Sequence, residues 1–409
     1  MKRFLICSVA VLLIISLVGC GMTASANDLM SGITANKVKK ISLDDDFLNR
    51  EFSFSTKLFD EIYKVSDSKN VVISPLSVQL ALAMTANGAG GATLKEMEDL
   101  LGDGMDIDLL SKYLNSYTSS LSSSKKAKLS IANSIWFNDN DEFPPVKKSF
   151  LQKNADYFGA GLYKIPFNDE ALNDINAWVS KNTDGMIDKM IDEISPSTLM
   201  FLINAICFDA EWETKYEPED ISDGKFTSLY GKIQDVEFMS SQESLYLDDG
   251  SATGFIKNYA GGKYSFAALL PNENVDLSKY IGTLKDTLKD TIKNAENSSV
   301  SAYIPKFTFD YGIRLNEVLA ALGMEKAFSV QADFSGICNG DIFISRVLHK
   351  AKIILDADGT KAAAATSVEI KCMGTIQEEK TVYLNRPFVY MIIDNETQLP
   401  IFMGTVTEF

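Results

Sequence analysis

One histidine is present in the 409-residue chain, so any reaction that needs an imidazole must use His349. A catalytic serine would take that histidine as its base, but the chain has no G-x-S-x-G elbow to carry the serine. The glycine-rich run at 88–93 lacks the lysine of a phosphate-binding loop and indicates a helix end. We therefore expect no catalytic residues, no metal site and no cofactor.

The five cysteines are also a poor match to known reactive sites. None has the C-x-x-C spacing of a zinc ribbon or a thioredoxin-type centre. Cys207 lies within the apolar run at 199–208, where it is expected to be a small buried hydrophobic side chain.

The charge balance is acidic, with 39 Lys and Arg against 55 Asp and Glu and a formal net charge of −16. Nucleic acids and heparin-like polyanions favour basic partners. We expect neither of them to be a partner of this chain.

Residues 1–19 have the pattern of an export signal. Lys2 and Arg3 precede an apolar run at 4–18, which is short for a transmembrane helix. The sequence Leu17-Val18-Gly19-Cys20 resembles the end of bacterial lipoprotein signals, which implies that Cys20 is lipidated and becomes the mature N-terminus. The alternative is a secretory signal cut near Ala24-Ser25-Ala26. Both place the mature chain outside the cytoplasm, either extracellular or on the outer face of the membrane.

Residues 20–46 are polar and indicate a tether that follows the lipid anchor. A docked segment is the alternative, because Ile33, Val38, Ile41 and Leu43 could pack against the body.

Residues 47–409 have the pattern of one α+β domain without a linker, in which large sheets carry helices on a face. Apolar side chains from Phe54 to Val65 recur at helical spacing, and Ser74-Pro75 is typical of a helix start. Thr93 and Glu96 have the spacing of a capping box for a third helix. Further helices are predicted at 107–121, 146–158, 171–184, 277–294 and 312–323. Strands are predicted at 129–137, 199–208, 225–239, 253–259, 264–270, 299–309, 342–355, 381–384, 387–394 and 399–407.

The stretch 356–380 fits neither pattern. It connects two strands, and a connection of this length without structure is usually functional or disordered. Its four consecutive alanines favour a helix weakly, whereas 366–370 alternates like a strand. On composition alone, an alanine-rich solvent loop is an equal interpretation.

Nearly all of residues 47–409 resemble the serpin family. The motifs occur in the family's order and spacing: NVVISPLS at 70–77, INAICF at 203–208 with Trp212, IPKF at 304–307, LGM at 322–324, ADFSGI at 332–337, VLHKA at 347–351, GTKAAAAT at 359–366, NRPF at 385–388 and FMG at 402–404. The resemblance implies a large central mixed sheet with additional sheets, about eight to nine helices and an exposed reactive loop at 356–380.

The resemblance implies an inhibitor that acts as a suicide substrate of serine proteases. The protease would cut the reactive loop and form an acyl-enzyme, and the loop would then insert into the large sheet as a new strand. Small side chains suit entry between packed strands, and the hinge residues are Gly359, Thr360, Ala362, Ala363, Ala364, Ala365 and Thr366. Positions 360, 362, 364 and 366 would face one side of the sheet and Lys361 the other. Family hinges commonly carry Glu where this chain has Ala357 and Lys361, which leaves the rate of insertion open.

Family spacing from Gly359 places the reactive bond at Met373–Gly374, with Lys371 and Cys372 as alternatives. Methionine suits chymotrypsin-, elastase- or subtilisin-like proteases with apolar primary pockets. Lysine would suit a trypsin-like protease.

The resemblance also assigns Ser74, Ser77, Asn204 and His349 to a buried cluster beneath the point where the sheet opens, and Trp212 to its top. The alternatives are a core histidine that only stabilises the fold and an ordinary core tryptophan. Protonation of His349 would ease sheet opening.

The expected partners are a serine protease, bound covalently, and a membrane through Cys20, with the chain as a monomer. The competing function is a non-inhibitory serpin, a binding or chaperone-like surface lipoprotein. The small hinge side chains argue against it.

Overall fold

The computed structural model describes residues 26–67, 69–121, 126–140, 143–195, 198–360 and 379–409. Within these ranges lie eight α-helices: α1 (Asp45–Val65), α2 (Pro75–Ala86), α3 (Gly91–Gly102), α4 (Ile107–Ser120), α5 (Lys148–Phe158), α6 (Asp169–Asn182), α7 (Leu277–Lys293) and α8 (Asn316–Ala321). The strands are β1 (Asn27–Asp28), β2 (Val72–Ile73), β3 (Ala127–Asn138), β4 (Gly161–Ile165), β5 (Met200–Glu211), β6 (Ile221–Thr227), β7 (Ile233–Asp248), β8 (Ala252–Asn258), β9 (Tyr264–Pro271), β10 (Glu296–Pro305), β11 (Phe307–Arg314), β12 (Arg346–Leu355), β13 (Gly359–Thr360), β14 (Lys380–Tyr383), β15 (Phe388–Asp394) and β16 (Pro400–Val406).

The strands form two sheets. The first has the order β1-β4-β3-β5-β13-β12-β11, and β5 also pairs directly with β12. It is mixed, because β3–β4 and β5–β12 are parallel whereas β3–β5 and β11–β12 are antiparallel. The second has the order β14-β10-β7-β8-β9-β15-β16-β2, with β6 beside β7. This arrangement confirms the predicted α+β fold with a large mixed sheet.

Helix α2 lies between the two sheets, in contact with β3 and β5 of the first and β16 of the second. All of its residues are buried, as expected for a helix that is apolar on every side. Its start follows the sequence pattern: the Ser74 side chain accepts the N–H of Ser77, and Pro75 occupies the first turn. This helix therefore presents its N-terminus to the inner face of the first sheet.

Three predicted elements need correction. The single strand at 225–239 is a hairpin of β6 and β7, and the strand at 299–309 is interrupted at Lys306 between β10 and β11. The helix at 312–323 is wrong at its start, because residues up to Arg314 belong to β11 and α8 begins at Asn316. Pairing of β11 with β12, from Phe307↔Leu355 to Arg314↔Leu348, overrides the local helical pattern.

The interpretation of residues 20–46 as a free tether is wrong over residues 26–44, which dock on the body. Asn27 and Asp28 pair with β4 as the edge strand of the first sheet. The Asn36 backbone N–H donates to Asp156 at 2.7 Å, and the Ile41 N–H donates to Ser116 Oγ at 3.0 Å. Apolar side chains on this segment, Leu29, Met30, Ile33, Ile41 and Leu43, pack against the core.

We expect removal of residues 21–43 to destabilise the protein relative to the chain that begins at residue 21. The partly buried apolar side chains and the hydrogen bonds to β4, Asp156 and Ser116 are lost together, which should lower the free energy of unfolding by about 2 to 5 kcal/mol. Urea unfolding midpoints measure the effect. As a milder variant, Asp156→Ala removes the acceptor that Asn36 shares with Gln152. An unchanged midpoint in both proteins would contradict the docking.

Candidate functional site

The first sheet is closed at one end and split at the other. Strands β5 and β12 pair in parallel from Phe201↔Arg346 to Cys207↔Lys352. Beyond these pairs β13 lies between them, with Thr360 opposite Ala210 on one side and Leu355 on the other. Both β13 ladders are antiparallel. The first two residues of the sequence-predicted hinge are therefore already part of the sheet.

Gly359 is required at its position by the close approach of β5. Its φ of 154° lies in a region that side chains with a Cβ avoid, and a Cβ built there would lie 2.0 Å from the carbonyl oxygen of Ala210. Thr360 follows with a fully buried side chain. Glycine thus permits the chain to turn into the narrow gap that threonine then fills.

A tight turn at 356–359 joins β12 to β13. The Asp356 N–H donates to the Gly359 carbonyl at 2.9 Å, and the Asp356 side chain accepts the N–H groups of Asp358 and Gly359. The expected start of the loop at 356 is corrected, because residues 356–360 form a hairpin. The dipeptide Asp358-Gly359 after a strand is a hairpin signal that would have predicted this turn.

Two stacked aromatic rings support the hairpin. Trp212 and Tyr259 lie with ring centroids 4.5 Å apart and planes inclined by 6°. Trp212 Nε1–H donates to the Asp356 carbonyl at 2.9 Å, and the Tyr259 and Thr360 hydroxyls share a hydrogen bond of 2.7 Å. Trp212, which the resemblance assigned to the top of the sheet, lies beside the turn at the split end. No signal in the sequence indicated Tyr259.

Three polar side chains lie side by side on adjacent strands lower in the sheet. Asn133 on β3 is opposite Asn204 on β5, which is opposite His349 on β12. Asn204 Nδ2 donates to Asn133 Oδ1 at 2.6 Å and also to the Ser77 hydroxyl of α2. We call these three residues the polar row.

Helix α2 completes the hydrogen bonding of the row. The Ser74 N–H donates to His349 Nε2 at 3.2 Å, and Ser77 Oγ donates to Asn133 Oδ1 at 3.4 Å. The structure thus brings together the four residues that the sequence assigned to the cluster. Asn133 is a member that the sequence missed, because one asparagine within a predicted strand is no signal without its neighbours.

His349 is neutral in this setting. Its Nε2 accepts a backbone N–H, so Nδ1 carries the proton and donates it to Asn204 Oδ1. Burial lowers the pKa of His349 from 6.5 to about 3. Both ring nitrogens are therefore satisfied only in the neutral form.

The remaining predicted site residues lie outside the described residues: Cys20, Lys361 and Ala362 to Thr366 of the hinge, and Lys371, Cys372, Met373 and Gly374 around the reactive bond. Cys207 is buried on β5, as expected from the apolar run, and its thiol lies 3.6 Å from the Thr183 carbonyl oxygen.

We expect sheet opening to become easier as the pH falls below about 6.5. Because the pKa of His349 is lower when buried than when exposed, its stabilising contribution is complete above pH 6.5 and is lost as pH falls toward 3. If opening exposes the ring, the opening equilibrium of the parent, divided by that of a variant without the histidine, should rise about 25-fold from pH 7 to pH 5. Hydrogen exchange of the β5 and β12 amides, corrected for intrinsic rates, measures this.

His349→Asn is the matched control, because asparagine is polar but does not titrate. Burial raises the pKa of Glu51 on α1 to about 8, which gives the opposite trend between pH 4.5 and 8 in both proteins. An equal pH response in the variant and the parent would show that His349 is not the group responsible.

Comparison with known proteins agrees with this geometry. The family model for serpins (serine protease inhibitors) matches residues 49–409. An uncharacterised serpin-like protein of Thermococcus kodakarensis is 30% identical over 397 residues, covering 93% of this chain and 91% of its own. Leukocyte elastase inhibitor A of Mus musculus is 31% identical over 373 residues, covering 86% of this chain and 97% of its own.

Among solved structures, tengpin, a thermophilic serpin, is 48% identical to this chain in two states. The native state has a TM-score of 0.90 and covers 94% of this chain and 100% of that chain. The latent state has a TM-score of 0.80 and covers 91% and 100%. The fold is thus more similar to the native than to the latent form of that relative. With the family match over almost the whole globular part, the chain belongs to the serpin family, whose members are generally inhibitors of serine proteases rather than enzymes.

Proposed function

We propose that the chain is an irreversible suicide-substrate inhibitor of serine proteases outside the cytoplasm, and that it traps the acyl-enzyme by inserting its cut loop between β5 and β12. The observation that carries the proposal is the position of Gly359 and Thr360 between these strands. An insertion that begins with two residues in register can continue without a new search for its partners.

The register supports a defined end point. Each further residue of an antiparallel strand moves one position along each neighbour. Thr366 lies six positions beyond Thr360 and would therefore be opposite Asn204 and His349. Thr366 carries a hydroxyl that can donate and accept a hydrogen bond. It could replace the contact between Asn204 and His349 that insertion must break. This match between the hinge and the polar row is the strongest support for full insertion.

Side-chain size supports the same end point. Thr360 faces the buried side of the sheet, where it bonds Tyr259. Alternation places Ala362, Ala364 and Thr366 on that side after insertion, and all three are small. Lys361 would face the opposite side.

Replacing the parallel ladder between β5 and β12 by two antiparallel ladders would favour insertion energetically. Insertion would replace seven parallel register pairs between β5 and β12 by two antiparallel ladders. Antiparallel pairs are slightly more stable per residue, and the new strand gains hydrogen bonds on both sides. The uncut protein would then be held in a less stable arrangement by the intact loop.

The chemistry at the reactive bond follows from the resemblance. The protease serine would attack the Met373 carbonyl, form an ester with it and release the amine of Gly374. Met373 lies thirteen positions beyond Thr360, so full insertion would carry the ester roughly 40 Å along the sheet. Such a displacement would pull the acyl-enzyme out of its working geometry. Lys371 and Cys372 remain alternative positions for the bond.

We also propose that residues 1–19 direct export and that Cys20 is lipidated. No helix in the part of the chain that the structure describes has the length and apolar character to cross a membrane. Because residues from 26 onward dock on the body, only 21–25 would separate the anchor from it, a reach of at most about 20 Å. The inhibitor would then act close to the membrane surface, as a monomer.

The test is to incubate the chain from residue 21 with chymotrypsin, subtilisin and trypsin separately. We expect an SDS-stable complex with chymotrypsin or subtilisin and a released peptide that begins at Gly374. A complex with trypsin and a peptide that begins at Cys372 would move the bond to Lys371. Mass spectrometry of the peptide distinguishes the two.

Ala364→Arg tests insertion at the same time, because position 364 would be buried only after insertion whereas Thr360 is already buried. A buried arginine without a partner costs several kcal/mol, so this variant should be cut at the same bond but form no complex. Lys361→Ala is the matched control and should still trap the protease. Cleavage of the parent by all three enzymes without a complex would contradict inhibition of these protease classes. A gain in heat resistance after such cleavage would favour the non-inhibitory serpin.

A further inference from the structure

A buried ion pair in the second sheet lies next to the aromatic rings that contact the turn at 356–359. Lys257 on β8 is 3% exposed, and its ammonium lies 3.0 Å from Glu243 Oε1 on β7, whose side chain is 12% exposed. The Ser241 hydroxyl donates to the same carboxylate oxygen at 2.6 Å. A lysine is rarely buried to this extent without a partner, and here a single carboxylate supplies one.

The rest of the ammonium faces aromatic rings. Lys257 Nζ lies 4.5 Å from the centroid of Tyr216 and 5.3 Å from the centroid of Trp212. Tyr216 is tied into the same cluster through its hydroxyl, which is 3.2 Å from Ser241 Oγ. In a desolvated site the attraction of a cation for a ring face is strongest. The ion pair therefore adds to the contacts that hold the Trp212 ring, which also stacks on Tyr259.

Trp212 in turn holds the hairpin that starts the insertion. Its backbone N–H donates to the Asp358 carbonyl at 3.0 Å, and its indole N–H donates to the Asp356 carbonyl. The Tyr216 N–H donates to the Ala357 carbonyl at 3.1 Å. Three of the four carbonyls of the turn thus accept hydrogen bonds from the two residues whose rings lie over Lys257.

We infer that Lys257 and Glu243 are positioning residues for loop insertion, which hold Trp212 and Tyr216 so that the turn at 356–359 stays closed. This inference rests on the proposed inhibitory function. Closing a turn costs conformational entropy before any hydrogen bond of the ladder has formed to offset that cost. With the turn already closed, the cut loop extends an existing hairpin between β5 and β12, and insertion can outrun hydrolysis of the acyl-enzyme.

The inference predicts a split between two kinetic quantities. In Lys257→Met the side chain keeps its length but loses its charge, so the turn loosens and insertion slows. The number of inhibitor molecules consumed per protease trapped should rise about tenfold, whereas the rate of loop cleavage should stay within about twofold of the parent. Lys257→Arg, which retains the cation, should restore most of the trapping.

A second variant guards against a folding defect. Glu243→Gln keeps the shape and a hydrogen-bond acceptor while removing the charge partner, and should shift the same ratio in the same direction. Lys326→Met is the matched control, because Lys326 pairs with Glu96 on α3 and makes no contact with the hairpin among the described residues. It should leave both quantities unchanged.

Three results would overturn the inference: an unchanged ratio in Lys257→Met, an equal rise in Lys326→Met, or a fall in the cleavage rate that matches the loss of trapping. A parent chain that traps no protease would instead contradict the proposed function. In that case the rate at which the nicked chain becomes heat resistant is the readout. An equal rate in the parent and Lys257→Met would overturn the inference, and a slower rate in the variant would support it.

Discussion

The parallel ladder between β5 and β12 is the interaction on which the rest of the structure depends. It closes the middle of the first sheet, yet at one end β13 already separates the same two strands. Because β5 and β12 run in the same direction, a strand between them can be antiparallel to both, as β13 is. The proposed function requires this sheet to accept one more strand, and the features of the site bear on when that strand would enter.

Two groups of side chains act on this ladder, one at its split end and one at its middle. At the split end, the stacked rings of Trp212 and Tyr259 hold the hairpin and the Thr360 hydroxyl. Lower down, the polar row ties β3, β5 and β12 to the N-terminus of α2. Buried polar groups without partners are costly, so the row resists separation of the strands until other groups can replace the lost bonds. In the proposed function, insertion of the hinge would have to break these hydrogen bonds.

The sequence could predict the features that depend on neighbouring residues. Ser74-Pro75 marks the start of α2, and the apolar run at 199–208 marks β5, because capping and burial are read locally. The capping box of Thr93 and Glu96 fails for the opposite reason: helix α3 begins at Gly91, Thr93 accepts the N–H of Asp333, and Glu96 accepts the N–H groups of Glu325 and Lys326. Both side chains therefore accept hydrogen bonds from residues more than 200 positions away in the sequence, not from their own helix. The same limit explains Asn133 and Tyr259, whose roles exist only once distant strands lie together.

The crystal structure of the chain after cleavage of its loop tests the central claim most directly. The account predicts that β5 and β12 no longer pair, that β13 continues between them without a shift in register, and that Thr366 lies between Asn204 and His349. A cleaved structure in which Asn204 still faces His349 across an intact parallel ladder would contradict it.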